Sequence, residues 1–167
     1  MSTRYPAPAL ESLPDDIRAR ILEVQEKSGF IPNVFLAFAR RPAEWRAFFA
    51  YHDALMLKEE GSLTKGEREM IVVATSGAND CLYCVVAHGA ILRIHEKHPR
   101  IADQLATNWR KADLTPRQRA MIGFAMKVAL DSSETFIANA IIARWRGVRS
   151  ALRQLVASWS AISGFFS

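Results

Sequence analysis

Both cysteines of this 167-residue chain fall in one short stretch, Cys81-Leu-Tyr-Cys84, and His88 follows four residues later. Two randomly placed cysteines would take a Cys-x-x-Cys spacing only roughly once in 80 tries, so the pairing points to chemistry. At i and i+3 of a helix their Cα atoms stand ~5 Å apart, inside the disulfide range, and a reversible disulfide is geometrically available. Asp80 is a suitable N-cap residue. It would place Cys81 at the first and Cys84 at the fourth position of a helix, where free N–H groups and the helix dipole favour a thiolate. His88 lies one turn beyond Cys84 on the same face, so its imidazole can exchange a proton with that sulfur.

A lowered thiol pKa achieves little by itself. A drop from about 8.5 to about 6 raises the thiolate fraction at pH 7 roughly 30-fold. The weaker nucleophile loses roughly tenfold of that gain at a Brønsted slope of ~0.45. A proton donor to the leaving oxygen supplies ~10²–10⁴, so an acid–base relay is expected near the thiols. Glu69 is the candidate. Glu67 is engaged by a capping box with Thr64, whereas Glu69 shares a largely apolar face with Val72, Val73 and Ser76. A carboxylate there is costly to bury unless paired, and Arg68 or Arg93 would be the partner if its role were structural. Tyr83, between the cysteines, is a further proton donor by chemistry and is read here as a packing aromatic.

The elements that must hold these residues belong to a chain that is half hydrophobic, with a length suited to one domain over residues 1–167. No apolar run reaches the ~18 residues of a membrane span, and the start, Met1-Ser-Thr-Arg-Tyr-Pro, leads into no apolar signal region. Two cysteines are too few for a disulfide scaffold. These features imply a cytoplasmic enzyme or binding domain with no membrane partner. The net charge of +5 belongs to the tail: Arg144, Arg146, Arg149 and Arg153 follow Thr135 without any Asp or Glu. Without those four, the 22 Lys and Arg become 18, against 17 Asp and Glu. No recognition motif accompanies the tail, so nucleic acid is not expected as a partner.

Helical punctuation recurs and strand alternation hardly appears. Residues 14–27 read as a helix closed by Gly29. Asn33 is placed to cap a short helix over 34–39, and Pro42 to open a long one to about 58, ended by Gly61. The Thr64/Glu67 capping box opens a helix over 65–78, stopped by Asn79. The cysteine helix should span 81–97, a shorter one 99–109, and a Thr115-Pro116 cap should start another to 130. Residues 137 to the end are apolar enough for a further helix, with Trp145 and Trp159 at helical spacing. Leu63-Thr-Lys-Gly-Glu-Arg-Glu-Met-Ile aligns with Leu114-Thr-Pro-Arg-Gln-Arg-Ala-Met-Ile at an offset of 51, which implies two similar helical units packed together. The shared letters are caps and core positions. Glu69, Cys81, Cys84 and His88 instead face Ala120, Ser132, Thr135 and Asn139, so one active site in the first copy is expected.

Glu69, eleven intervening residues, Cys81-x-x-Cys84, three more and then His88 resemble the alkylhydroperoxidase D core of the carboxymuconolactone decarboxylase-like superfamily. The stretch from Leu63 to Gly89 is similar to its uncharacterised peroxidase-related branch, and the resemblance covers about residues 10–130. It implies an all-α, AhpD-like fold of repeated helical units, with a motif core at about residues 60–100, assembled as a homo-oligomer. Apolar groups such as Trp45, Phe48, Phe49, Trp145 and Trp159 exceed what a few short helices comfortably enclose, so a dimer, a trimer or a hexamer built from them is expected. It also implies a thiol-dependent reductant of organic hydroperoxides with an antioxidant role. Cys84 would attack the peroxide, Cys81 would resolve the product into a disulfide, and Glu69 with His88 would form the proton relay. No bound cofactor is implied; electrons would come from an external dithiol, a lipoylated protein in the best-known members. Those members carry histidine where this chain has Tyr83, and residues 132–167 form an atypical Arg- and Trp-rich tail.

The same residues admit rival uses. One is a thiol–disulfide oxidoreductase or redox sensor without peroxidase turnover. Another is a metal site from Cys81, Cys84, His88 and His95, although structural zinc sites usually gather ligands from two chain segments. The last is a non-catalytic helical oligomer.

Overall fold

Seven α-helices and two short 3₁₀ turns, with no strand among the described residues, make up the computed structural model, which describes residues 6–131. The expected helix after residue 137, with Trp145 and Trp159, lies outside the described residues. The chain divides into a first compact unit ending at Ala54 and a second beginning at Leu55.

In the first unit, α1 (Asp15–Ser28) ends where Gly29 turns left-handed at φ 80°, as its expected position after the helix required. α2 is Asn33–Phe38 and α3 is Pro42–Met56. Asn33 is the first residue of α2 and not its cap; Pro32 precedes it, and no side chain caps that end. The core gathers Ile17 and Ile21 from α1 with Trp45 and Phe49 from α3. Phe35 stacks on Phe49 at 4.3 Å between ring centroids, and Trp45 Nε1 donates to the Phe35 carbonyl at 3.1 Å.

The second unit is built around α4 (Lys65–Ala78), which packs against α5 (Leu82–Glu96), α6 (Ile101–Asn108) and α7 (Pro116–Leu130). The repeat appears in three dimensions as a repeated local device. Thr64 and Glu67 form a complete capping box on α4, and Thr115 and Gln118 form one on α7. One turn into each helix, Arg68 donates to the carbonyls of Met56, Lys58 and Glu60, and Arg119 donates to those of Arg110 and Ala112. Each arginine thus satisfies carbonyls that the preceding helix or turn leaves open. α3 stops at Met56, close to its expected end near residue 58, and the Lys58 and Glu60 carbonyls that follow serve the Arg68 side chain. Arg117 joins the two capping boxes, bonding both Glu67 oxygens at 2.9 and 3.3 Å. α4 and α6 approach closely at Gly77, where an added Cβ would lie 2.5 Å from the Ala106 carbonyl oxygen.

The link from α4 to α5 differs from the expected one. Asp80 does not cap α5. It adopts the left-handed conformation at φ 54°, its N–H bonds the Gly77 carbonyl at 3.3 Å, and the Cys81 N–H reaches the Ser76 carbonyl at 2.9 Å. This pair of bonds is a Schellman motif with aspartate in the place usually given to glycine. Cys81 is therefore both the last anchor of α4 and the N-cap of α5. Cys84 consequently sits at the third position of α5, one earlier than the sequence reading placed it.

Candidate active site

The tight α4–α5 link holds two helices side by side so that a face of each contributes to one polar cluster in an otherwise apolar core. Glu69 and Ser76 stand two turns apart on α4, and both are buried. Cys84 and His88 stand one turn apart on α5, with Cys81 at the helix start. All four residues expected to carry chemistry fall within this pair of helices.

Glu69 has a specific partner, and it is neither Arg68 nor Arg93. Its Oε2 lies 2.7 Å from His88 Nδ1. Arg68 is occupied by carbonyls, and Arg93 by Asp103 and the Pro99 carbonyl. Both members of the Glu69–His88 pair are largely withdrawn from water, with side chains 7% and 12% exposed. A carboxylate accepts, so the shared proton sits between Glu69 and Nδ1 and sets the imidazole orientation. Nε2 is then the nitrogen that can exchange a proton with a third group. Glu67 is occupied as expected by the Thr64 capping box, and additionally by Arg117.

The two cysteines are reduced and buried, with their thiols within hydrogen-bonding distance of each other. Burial pushes the Cys84 thiol up to about 12; the neighbouring Cys81 thiol adds to the effect and the Ser76 hydroxyl opposes it. The sequence reading expected a thiolate favoured by the start of α5. At Cys84 desolvation wins, because the sulfur is buried among the residues of the second-unit core and the helix dipole acts on a site with little water to share its charge. Burial thus favours the protonated form of the Cys84 thiol.

Between the cysteines, Leu82 and Tyr83 are both exposed, Tyr83 at 38%. The packing role read for Tyr83 does not extend to burial. Among the described residues no three His, Cys, Asp or Glu side chains converge in a way that could hold a metal ion, and His95 is on the exposed side of α5. Ser76, named in the sequence reading only as a neighbour of Glu69 on its helical face, seven positions away, lies beside Cys84 in the fold.

Comparison with known proteins bears on this geometry. The carboxymuconolactone decarboxylase family model matches residues 42–100. The chain is similar to a crystal structure of an alkylhydroperoxidase AhpD core, an uncharacterised peroxidase-related protein from Ralstonia eutropha, at 60% identity and a TM-score of 0.90, over 97% of this chain and 87% of that one. It is also similar to an uncharacterised peroxidase-related protein from a Silicibacter species at 34% identity and a TM-score of 0.87, over 96% and 85% of the two chains. No curated protein matches it.

Proposed function

The chain belongs to the carboxymuconolactone decarboxylase family, in its AhpD-core, peroxidase-related group, and from that premise we propose that it is a thiol-dependent reductase of organic hydroperoxides. The observation that carries the reading is the buried Glu69–His88 pair at 2.7 Å, beside a thiol that burial keeps protonated. A structural carboxylate needs only a partner; a relay needs a titratable one placed one helical turn from the nucleophile.

The chemistry follows in three steps. His88, oriented by Glu69, takes the proton of Cys84, and the thiolate attacks one oxygen of the hydroperoxide. The O–O bond breaks, the alkoxide leaves as an alcohol with the proton returned by His88, and Cys84 becomes a sulfenic acid. Cys81 then attacks the Cys84 sulfur, water leaves, and a Cys81–Cys84 disulfide forms. An external dithiol, for which a lipoylated protein is the model, restores the two thiols by disulfide exchange. No bound cofactor takes part. We propose that the protein works as a homo-oligomer in an antioxidant role in the cytoplasm.

The test is mass spectrometry of the cysteines after one equivalent of an organic hydroperoxide, with the alcohol product measured in parallel. One alcohol and one Cys81–Cys84 disulfide per chain are expected. A disulfide that forms with an oxidised dithiol but not with hydroperoxide would instead make the protein a thiol–disulfide oxidoreductase.

A further inference from the structure

Two polar residues are adjacent near the end of α4, and they are used differently. Thr75 turns its hydroxyl back into its own helix, donating to the carbonyls of Ile71 and Val72 at 2.8 and 3.2 Å. That is local backbone bonding with no message for the site. Ser76 is fully buried, and its hydroxyl is within hydrogen-bonding distance of the Cys84 sulfur. Its backbone carbonyl meanwhile accepts the Cys81 N–H at 2.9 Å. One residue thus holds the backbone of the first cysteine and meets the side chain of the second.

The repeat supplies an internal control. At the offset of 51, Thr75 corresponds to Met126 and Ser76 to Lys127. Lys127 is exposed on α7, so packing of the repeat does not demand a small buried hydroxyl at this position. The serine accompanies the copy that carries Glu69, Cys81, Cys84 and His88.

We propose that Ser76 is part of the reactive constellation: its hydroxyl donates to Cys84 Sγ, orienting the sulfur and stabilising the thiolate that attacks. A buried anion needs donors more than a neutral thiol does, because a charge left unpaired in a low-dielectric site is costly. Of the neighbours that act on this sulfur, burial and Cys81 both favour the protonated form, and the Ser76 hydroxyl favours the ionised one. The inference rests on Cys84 being the nucleophile in the proposed function.

The experiment isolates Cys84 by making every protein in the Cys81→Ser background. The rate of alkylation by iodoacetamide is measured against pH, with and without Ser76→Ala. The other titratable groups that α4 and α5 bring to this face, Glu69 and His88, are the same in both proteins. Losing a hydrogen bond to a charged group should slow alkylation at pH 8 by about tenfold or more, with the profile moved to higher pH. Ser76→Thr, which keeps the hydroxyl, should stay close to the parent profile, and circular dichroism should be the same for the Ala and Thr variants. An unchanged profile for Ser76→Ala overturns the inference, as does an equal shift in both variants. Hydroperoxide consumption by the unmutated chain is scored separately. A shifted profile without peroxidase turnover would defeat the proposed function and leave the Ser76 contact standing; turnover with no shift would do the reverse.

Discussion

Glu69 and His88 come from different helices and meet 19 positions apart in the chain, with a 2.7 Å bond between them. If this pair moves the proton, Glu69→Gln should lower the rate of Cys84 oxidation by hydroperoxide by ~10²-fold or more, since the amide keeps the shape but not the basicity. Glu67→Gln should leave that rate near the parent value. Its cost is expected in stability, about 1 kcal/mol or more, because the bond to Arg117 loses its charge. Stopped-flow oxidation and urea unfolding of both variants check the two statements; a slow Glu67→Gln with a normal Glu69→Gln would remove Glu69 from the relay. Cys84→Ser should abolish peroxide consumption, while Cys81→Ser should oxidise once and stop at the Cys84 sulfenic acid. The raised Cys84 pKa also has a sign. The folded state holds the thiol proton more tightly than the unfolded chain, so this contribution to stability is complete below about pH 9 and is lost as pH rises toward about 12. Urea midpoints should therefore fall less steeply between pH 8 and 10.5 in Cys84→Ser than in the parent.

At the scale of elements, the turn from α4 to α5 decides the geometry of the thiols. Asp80 tolerates the left-handed backbone better than most residues, but a β-branched side chain does not. Asp80→Val should destabilise the chain by about 1–2 kcal/mol and should disturb the Cys81 anchor. Asp80→Gly should keep or raise stability. Thermal melts compare the two, and a stable Asp80→Val would mean that the turn is not held as described. Gly77 sits under a stricter limit. Its missing side chain lets α4 meet the α6 backbone, and Gly77→Ala would place a Cβ 2.5 Å from the Ala106 carbonyl oxygen. The neighbour is backbone, so α4 and α6 must separate, at a cost of about 1–3 kcal/mol. The capping boxes are more forgiving: Thr64→Ala and Thr115→Ala should each cost about 1 kcal/mol.

At the scale of the molecule, the aromatic residues first suggested an apolar surplus that association would have to cover. Trp45 and Phe49 do not contribute to such a surplus, because the first-unit core encloses them. Trp145 and Trp159 lie outside the described residues. Among the described residues exposed apolar side chains are scattered, Phe30 and Leu130 among them, but α5 carries a strip of them: Leu82, Val86 and Ile94 follow one another at four- and eight-residue spacing and are each more than 60% exposed. A homo-oligomer is still the expected state, with a second copy as the natural cover for such a strip. Light scattering at micromolar concentration should report a mass above that of one chain, and Val86→Lys should lower it. A monomeric parent would end the expectation. No described helix is long and apolar enough to cross a membrane.

The sequence alone determined whatever rests on short-range pattern. Both capping boxes, the left-handed Gly29, the all-helical class and the family signature in Glu69, Cys81, Cys84 and His88 are local, and a few residues suffice to specify each. The repeat was legible for the same reason, and Arg68 and Arg119 prove to be shared because each serves carbonyls within twelve positions of itself. What the tertiary structure decided concerns partners and burial. Glu69 had several possible partners in the sequence, and only the packing of α4 on α5 selected His88. The charge state of Cys84 depended on two opposing effects, helix-end stabilisation and desolvation, and their balance is set by how deeply the sulfur is enclosed, which no spacing reveals. The same holds for Asp80 and Ser76. A cap and a left-handed turn use the same residue types, and a buried serine reads like any other until the helix carrying the thiol is laid against it.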